Sequence, residues 1–312
     1  MRQTNPAPDV DERAVEFSAN DGVALAGTWF EPAPGRPRAS TAIVIVPGAG
    51  IPARVYHGLA RYLAERGAAV LTFDYRGIGK SRAGSLRAMT SGMDDWAHRD
   101  IDAALALAGA SCPDLPLSVV AHSIGTLLIG AAPAAARVTR SVFIGAHTGY
   151  WRDYHANWRW LLFLVWHAFM PAVTRVVGYF PGRALRLGED LPRQVAYDWA
   201  GRLAPALVRT QRDAKRFGPH LHRFADFRAS TLALSISDDA FAPPEAAEPL
   251  LAMYPRLVAQ RETVTPASLG RRRLGHFGFV RSGPGQHIWR RIAEWLLPDA
   301  SATSANRVDG TR

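Results

Sequence analysis

Short apolar runs recur along the chain, and between them apolar residues return every three or four positions. Thr41–Val46, Ala69–Phe73, Leu117–Ala121 and Thr231–Ile236 are runs of the first kind. They read as strands buried on both faces, as in a parallel sheet. Arg140–Ile144 and the more polar Leu257–Val264 read as strands too. Ala14–Ser18 and Val23–Phe30 flank the turn residues Asn20-Asp21-Gly22, which predicts an antiparallel hairpin at the start of the sheet. Helical spacing marks Ala53–Arg66, Met93–Ala110, Pro244–Met253 and Gln286–Leu297, and Gly67 is placed to cap the first of these. Strand and helix alternate, which predicts an α/β fold with a mostly parallel central sheet and helices on both faces. From Thr148 to about Phe227 the alternation stops. Five of the nine tryptophans fall there (Trp151, Trp158, Trp160, Trp166 and Trp199), and Trp160–Thr174 is apolar except at His167 and Pro171. A bilayer span needs roughly 20 such residues, and Arg175 comes too early, so an inserted helical unit is the better expectation. The division is then 1–147 and 228–298 as core, 148–227 as the insertion, and 299–312 as a small, polar, disordered tail.

Composition narrows this picture. A chain of 312 residues with 48% hydrophobic content is long enough for one large core. Cys112 is its sole cysteine, which excludes an internal disulfide and fits a reducing, cytoplasmic setting. Residues 1–22 carry Asp9, Asp11 and Glu12 and no apolar core, so no signal peptide is expected. The net charge of +10 raises the question of nucleic acid, but the arginines are scattered apart from Arg271-Arg272-Arg273, and no zinc-finger or RNA-binding aromatic motif is present. A generally basic surface is expected, with no nucleic-acid partner. Peripheral contact with an anionic membrane is a side reading.

The chemistry centres on Pro116–Gly125, Pro-Leu-Ser-Val-Val-Ala-His-Ser-Ile-Gly. A buried strand runs into Ser123, which lies between the small residues Ala121 and Gly125, and an apolar helix start follows. This is the strand, sharp turn and helix of a nucleophile elbow, in which the serine is strained and only small residues fit two positions either side. Taken alone, the same pattern also fits a buried strand ending at a serine N-cap. Two later segments change the weighing. Asp238 and Asp239 follow the strand Thr231–Ile236, and His276 lies in the loop Leu-Gly-His-Phe-Gly-Phe. The chain order is thus Ser, Asp, His. Two glycine loops are set aside. Gly48-x-Gly50 would need a glycine at position 53 to bind a dinucleotide, and Ala53 is there. Gly79-Lys80-Ser81 would need one at position 74 to be a phosphate loop, and Asp74 is there. His220-Leu221-His222 has no third ligand at metal-site spacing.

With these motifs the chain resembles the α/β-hydrolase superfamily, near its serine-aminopeptidase and monoacylglycerol-lipase-like branch, from about Val15 to Leu297. The resemblance implies the α/β-hydrolase fold with the insertion 148–227 as a helical cap. It implies Ser123 as nucleophile, His276 as base and an aspartate to orient it. In related loops that acid stands four positions before a proline, which favours Asp239, before Pro243, over Asp238. The backbone amides of Ala49 and Ile124 would form the oxyanion hole, although Pro47 stands where the family commonly has a histidine. The segment Asp74–Ser81 matches a structural loop of the family. Trp166, Phe163 and His122 are the substrate-contact candidates. The reaction expected is hydrolysis of an ester or other acyl bond through an acyl-enzyme, on an apolar small molecule, with no metal or organic cofactor. A small-peptide aminopeptidase is the alternative enzyme, and a non-catalytic membrane-surface or scaffold protein is the reading from a different class.

Overall fold

The computed structural model of the chain describes residues 9–201, 221–283 and 285–297. The polar tail expected at 299–312, part of the insertion, and His220 lie outside the described residues. Each strand expected from the apolar pattern is present: β1 (Val10–Ser18), β2 (Ala24–Pro32), β3 (Thr41–Val46), β4 (Ala68–Phe73), β5 (Leu117–His122), β6 (Val138–Ile144), β7 (Ser230–Ile236) and β8 (Val258–Val264). They form one sheet in the order β1-β2-β4-β3-β5-β6-β7-β8. The β1–β2 and β2–β4 pairs are antiparallel and the others parallel. The fold is that of an α/β-hydrolase.

The central strands are apolar on both faces because both faces are covered. Along β3, Ala42, Val44 and Val46 point into one core, and Ile43 and Ile45 into the other. Helix α1 (His57–Ala64) and the C-terminal helix, Gln286–Leu296, cover the second face. The first face lies under a long helical run that begins at α2 (Met93–Asp95), passes through a π turn over Trp96–Ile101 and continues as α3 (Asp102–Ser111). The elbow helix α4 (Gly125–Leu128) is only one turn long before it tightens to 3₁₀ geometry at Ile129–Ala131.

Between β6 and β7 lie α5 (Arg159–Leu164), a π turn over Val165–Phe169, α6 (Met170–Val177) and α7 (Arg193–Ala200). The stretch Arg159–Val177 is 19 residues long with mean hydropathy 1.5, long and apolar enough to cross a membrane by length and composition alone. Its buried residues are Leu162, Trp166, Met170 and Thr174, spaced by four. A straight α-helix at 3.6 residues per turn would rotate such a stripe off its partner. The π turn takes up the extra residue and keeps the stripe facing the protein. Pro171 directly follows the π turn, inside this continuous helical stretch.

One buried ion pair ties the loop after β4 to the long helix. Arg76 and Asp100 are 1% and 0% exposed, and Arg76 Nε donates to Asp100 Oδ1 at 2.7 Å while the Arg76 amide donates to Oδ2 at 2.9 Å. Asp21, in the turn before β2, accepts two further hydrogen bonds from the guanidinium. Burial, acting against the attraction of Arg76, raises the Asp100 pKa to about 6. Arg76→Leu would strand a buried carboxylate, and we expect it to destabilise the fold by about 3–5 kcal/mol. Urea unfolding of Arg76→Leu beside Arg76→Leu/Asp100→Leu checks this. The double variant should recover most of the loss.

Candidate active site

Ser123 follows β5 directly and has φ 55, in the left-handed region that a non-glycine residue rarely adopts. The turn is bound on both sides: the Ser123 amide donates to Ile144 O at 2.9 Å, and Thr126 Oγ1 donates to Ser123 O at 2.6 Å. Gly125 is required by proximity. A Cβ there would stand 2.7 Å from the Pro47 carbonyl oxygen and 3.0 Å from Val46.

Three loops at the C-terminal ends of β5, β7 and β8 converge. His276 Nε2 lies 2.9 Å from Ser123 Oγ, and His276 Nδ1 lies 2.6 Å from Asp239 Oδ2. The other Asp239 oxygen accepts the amides of Phe241 and Ala242 at 2.8 and 3.0 Å. Burial pushes the Asp239 pKa up, but the His276 imidazole and these two amides outweigh it and bring it to about 2. Asp238 turns away and accepts the Leu274 and Gly275 amides, each at 2.9 Å, so it braces the loop that carries His276. Gly145, just after β6, has φ 57, and a Cβ there would meet His276 Cε1 at 3.2 Å and Asp239 Oδ2 at 3.4 Å. A side chain at this left-handed position would crowd the pair.

The loop after β3 is held by two buried tyrosines. Tyr75 donates to the Pro47 carbonyl at 3.0 Å, and Tyr56 Oη accepts the Gly48 amide at 3.1 Å. The amides of Ala49 and Ile124 make no hydrogen bond to the described residues.

A cavity of ≈ 370 Å³ opens at the serine, with Ala49, Ser123, His147 and His276 among its lining. Its walls are mostly apolar: Trp166, Met170, Phe180, Leu191, Trp199 and Phe241. Of the three substrate-contact candidates only Trp166 lines it. Phe163 instead packs on Trp151, Trp160 and His167. His122 is 1% exposed and lies beneath the site, where its Nδ1 accepts the Tyr56 hydroxyl at 2.8 Å and its ring packs on His276 and Phe279. Its place is behind the loop after β3, because its strand position points it into the core.

Two lining groups had no signal in the apolar pattern. Arg186, with φ 56, is the one lining arginine among the described residues. His147 Nε2 lies 3.0 Å from Ser123 Oγ. A histidine three residues past the end of a buried parallel strand, where such folds gather their chemistry, is the clue by which it could have been found.

A strained serine bonded to an Asp-paired histidine at the C-terminal edge of a mostly parallel sheet defines the class, a hydrolase on the α/β-hydrolase fold. The sequence matches the family described as serine aminopeptidase, S33, over residues 37–256, and the chain belongs to that family. No curated protein matches the sequence. Among solved structures, a soluble variant of monoglyceride lipase from Saccharomyces cerevisiae aligns with TM-score 0.62 and 15% identity, covering 95% of this chain and 97% of that one. An esterase from Pyrococcus furiosus aligns with TM-score 0.58 and 15% identity, covering 92% and 90%. A thermophilic esterase from Thermogutta terrifontis aligns with TM-score 0.57 and 14% identity, covering 91% and 98%. At these identities the likeness is one of fold.

The buried histidines set a pH dependence. Burial first, then the neighbouring His276, holds the His122 pKa well below that of a free imidazole. His122 is therefore neutral in the fold and takes up a proton on unfolding below about pH 6.5. Its contribution to stability is full above that pH and is lost as the pH falls. His57 and His167, also lowered by burial, act in the same direction. We expect His122→Asn, which keeps an acceptor for Tyr56, to flatten the decline between pH 6.5 and 5 by up to about 1.4 kcal/mol per pH unit. Urea titrations at a series of pH values measure this.

Proposed function

We propose that the protein is a serine hydrolase that cleaves an ester of an apolar acyl or alkyl group through a Ser123–His276–Asp239 triad and an acyl-enzyme. The observation that carries the reading is the hydrogen-bonded chain from Asp239 through His276 to Ser123 at the floor of a largely apolar cavity. Asp239 bonds Nδ1–H, which leaves Nε2 of His276 free to accept the serine proton as Oγ attacks the acyl carbon. The carbonyl oxygen takes the negative charge and is met by the Ala49 and Ile124 amides; one such donor is worth about 10²–10³ in rate. His276 then gives its proton to the leaving oxygen, and water releases the acyl group by the same steps. The helices between β6 and β7 form the cap, with Trp166 and Met170 on their buried stripe as the acyl wall.

An aminopeptidase would have to hold a substrate ammonium. Among the described residues none of the cavity's lining is acidic, and its charged member is Arg186. This favours the ester reading.

Two measurements test the proposal. Asp239→Asn should lower kcat by about 10⁴, with Asp238→Asn lowering it far less, because Asp238 binds only loop amides. The reverse ranking would move the acid's role to Asp238. Along p-nitrophenyl esters from acetyl to decanoyl, kcat/KM should rise several-fold per added pair of carbons, since each buried methylene contributes about 0.8 kcal/mol, until the cavity is full. Trp166→Ala should flatten that rise. A flat or falling profile in the wild type overturns the apolar-pocket reading.

A further inference from the structure

The nucleophile has a second imidazole partner. Ser123 Oγ lies 2.9 Å from His276 Nε2 and 3.0 Å from His147 Nε2. A hydroxyl has one proton to donate, so the two histidines cannot have the same role. Their other nitrogens settle which does which. His276 Nδ1 faces the Asp239 carboxylate at 2.6 Å, so it carries the proton and Nε2 accepts. His147 Nδ1 accepts the Gly149 amide at 2.9 Å, so it carries none, and the neutral ring bears its proton on Nε2. Ser123 therefore donates to His276 and accepts from His147.

The surroundings hold this arrangement. Gly149 has φ 78, which folds the chain back so that its amide meets the ring two residues earlier. His147 is 2% exposed and packs edge-on to Trp199 at 5.9 Å between centroids. A proton added to Nδ1 would face the Gly149 N–H and break that hydrogen bond, so the ring is kept as a donor.

We propose that His147 is a second catalytic histidine, a fixed N–H donor to Ser123 Oγ. This rests on the reading of Ser123 as the nucleophile. In the resting enzyme His147 occupies an Oγ lone pair and so directs the hydroxyl proton at His276. As Oγ attacks, the Oγ–H bond breaks and its proton passes to His276 Nε2. An Oγ lone pair forms the bond to the acyl carbon, and the carbonyl π pair moves onto oxygen. His147 keeps its proton throughout and stabilises the charge that gathers on Oγ before that bond is complete. When water displaces the acyl group, Oγ leaves as the incipient alkoxide and meets the same donor. The role needs only a side-chain N–H at the position of Nε2, which glutamine can also supply.

The test compares His147→Phe, which fills the space without a donor, with His147→Gln. We expect His147→Phe to lower kcat, and the rate at which a fluorophosphonate labels Ser123, by about 10²-fold, with KM little changed. His147→Gln should recover both to within about tenfold. Labelling of His147→Phe at the wild-type rate overturns the proposal, as does an equal loss in His147→Gln and His147→Phe. If His147→Phe does not fold, ¹⁵N-histidine NMR of the wild type decides: the resonance that disappears in His147→Gln should report the Nε2–H tautomer, and an Nδ1–H tautomer overturns the assignment. A wild-type label found on a residue other than Ser123 would defeat the nucleophile reading itself, a distinct outcome from any of these.

Discussion

The site depends on the close approach of the elbow to the end of β3. Ser123 sits at φ 55 in a backbone region that costs an ordinary residue of order 1–3 kcal/mol, and such a conformation persists only where its surroundings over-determine it. Here they do so from three directions. The strand ladder reaches past β5 to bind the Ser123 amide, Thr126 ties the serine carbonyl into the helix start, and Gly125 lies against the carbonyls of Val46 and Pro47 with no room for a methyl group. The same approach brings the loop after β3 against the elbow, where a Cβ at Gly48 would stand 3.1 Å from Ser123 Cβ. Tyr56 and Tyr75 hold that loop by its backbone.

Around this point the protein buries polar groups at a density that its apolar core would otherwise penalise. Asp239, His276, Ser123, His147 and His122 are all nearly solvent-free, and hydrogen bonds aim the ionised or reactive members in one direction. Low local polarity strengthens each of these bonds and makes any unpaired member costly. The Arg76–Asp100 pair is the same device used for architecture, since it fixes the loop after β4 to the helix beneath the sheet.

The helices between β6 and β7 solve a different problem. An apolar stretch of 19 residues must place one face against the cavity while Trp160, Leu161, Leu164 and Val176 stay exposed on the other. The π turn in its middle keeps the buried stripe continuous across that length, and the stripe supplies the cavity's Trp166 and Met170.

Much of this was legible in the sequence, for a local reason. Strands such as Thr41–Val46 and Thr231–Ile236 are apolar on both faces, so their composition alone identifies buried parallel strands, and the position of Ser123 right after such a run is a property of adjacent residues. The small side chain at Gly125 and the spacing of Asp239 to Pro243 are equally local. Contacts across the sheet are not. That Asp239 meets His276 while Asp238 binds the loop behind it depends on how β7 and β8 end in space. Phe163 and Trp166 are indistinguishable as apolar residues of one helix, and only the way the helix is seated decides that Trp166 lines the cavity and Phe163 faces Trp151. The pairing of His147 with Ser123 joins residues 24 apart through the β5–β6 register, and its direction is decided by one backbone amide, at Gly149. Composition and spacing determined the elements and their order, because those follow from neighbours along the chain. Which side chains face one another, and which atom of each carries the proton, was decided only when the strands fixed their ends side by side.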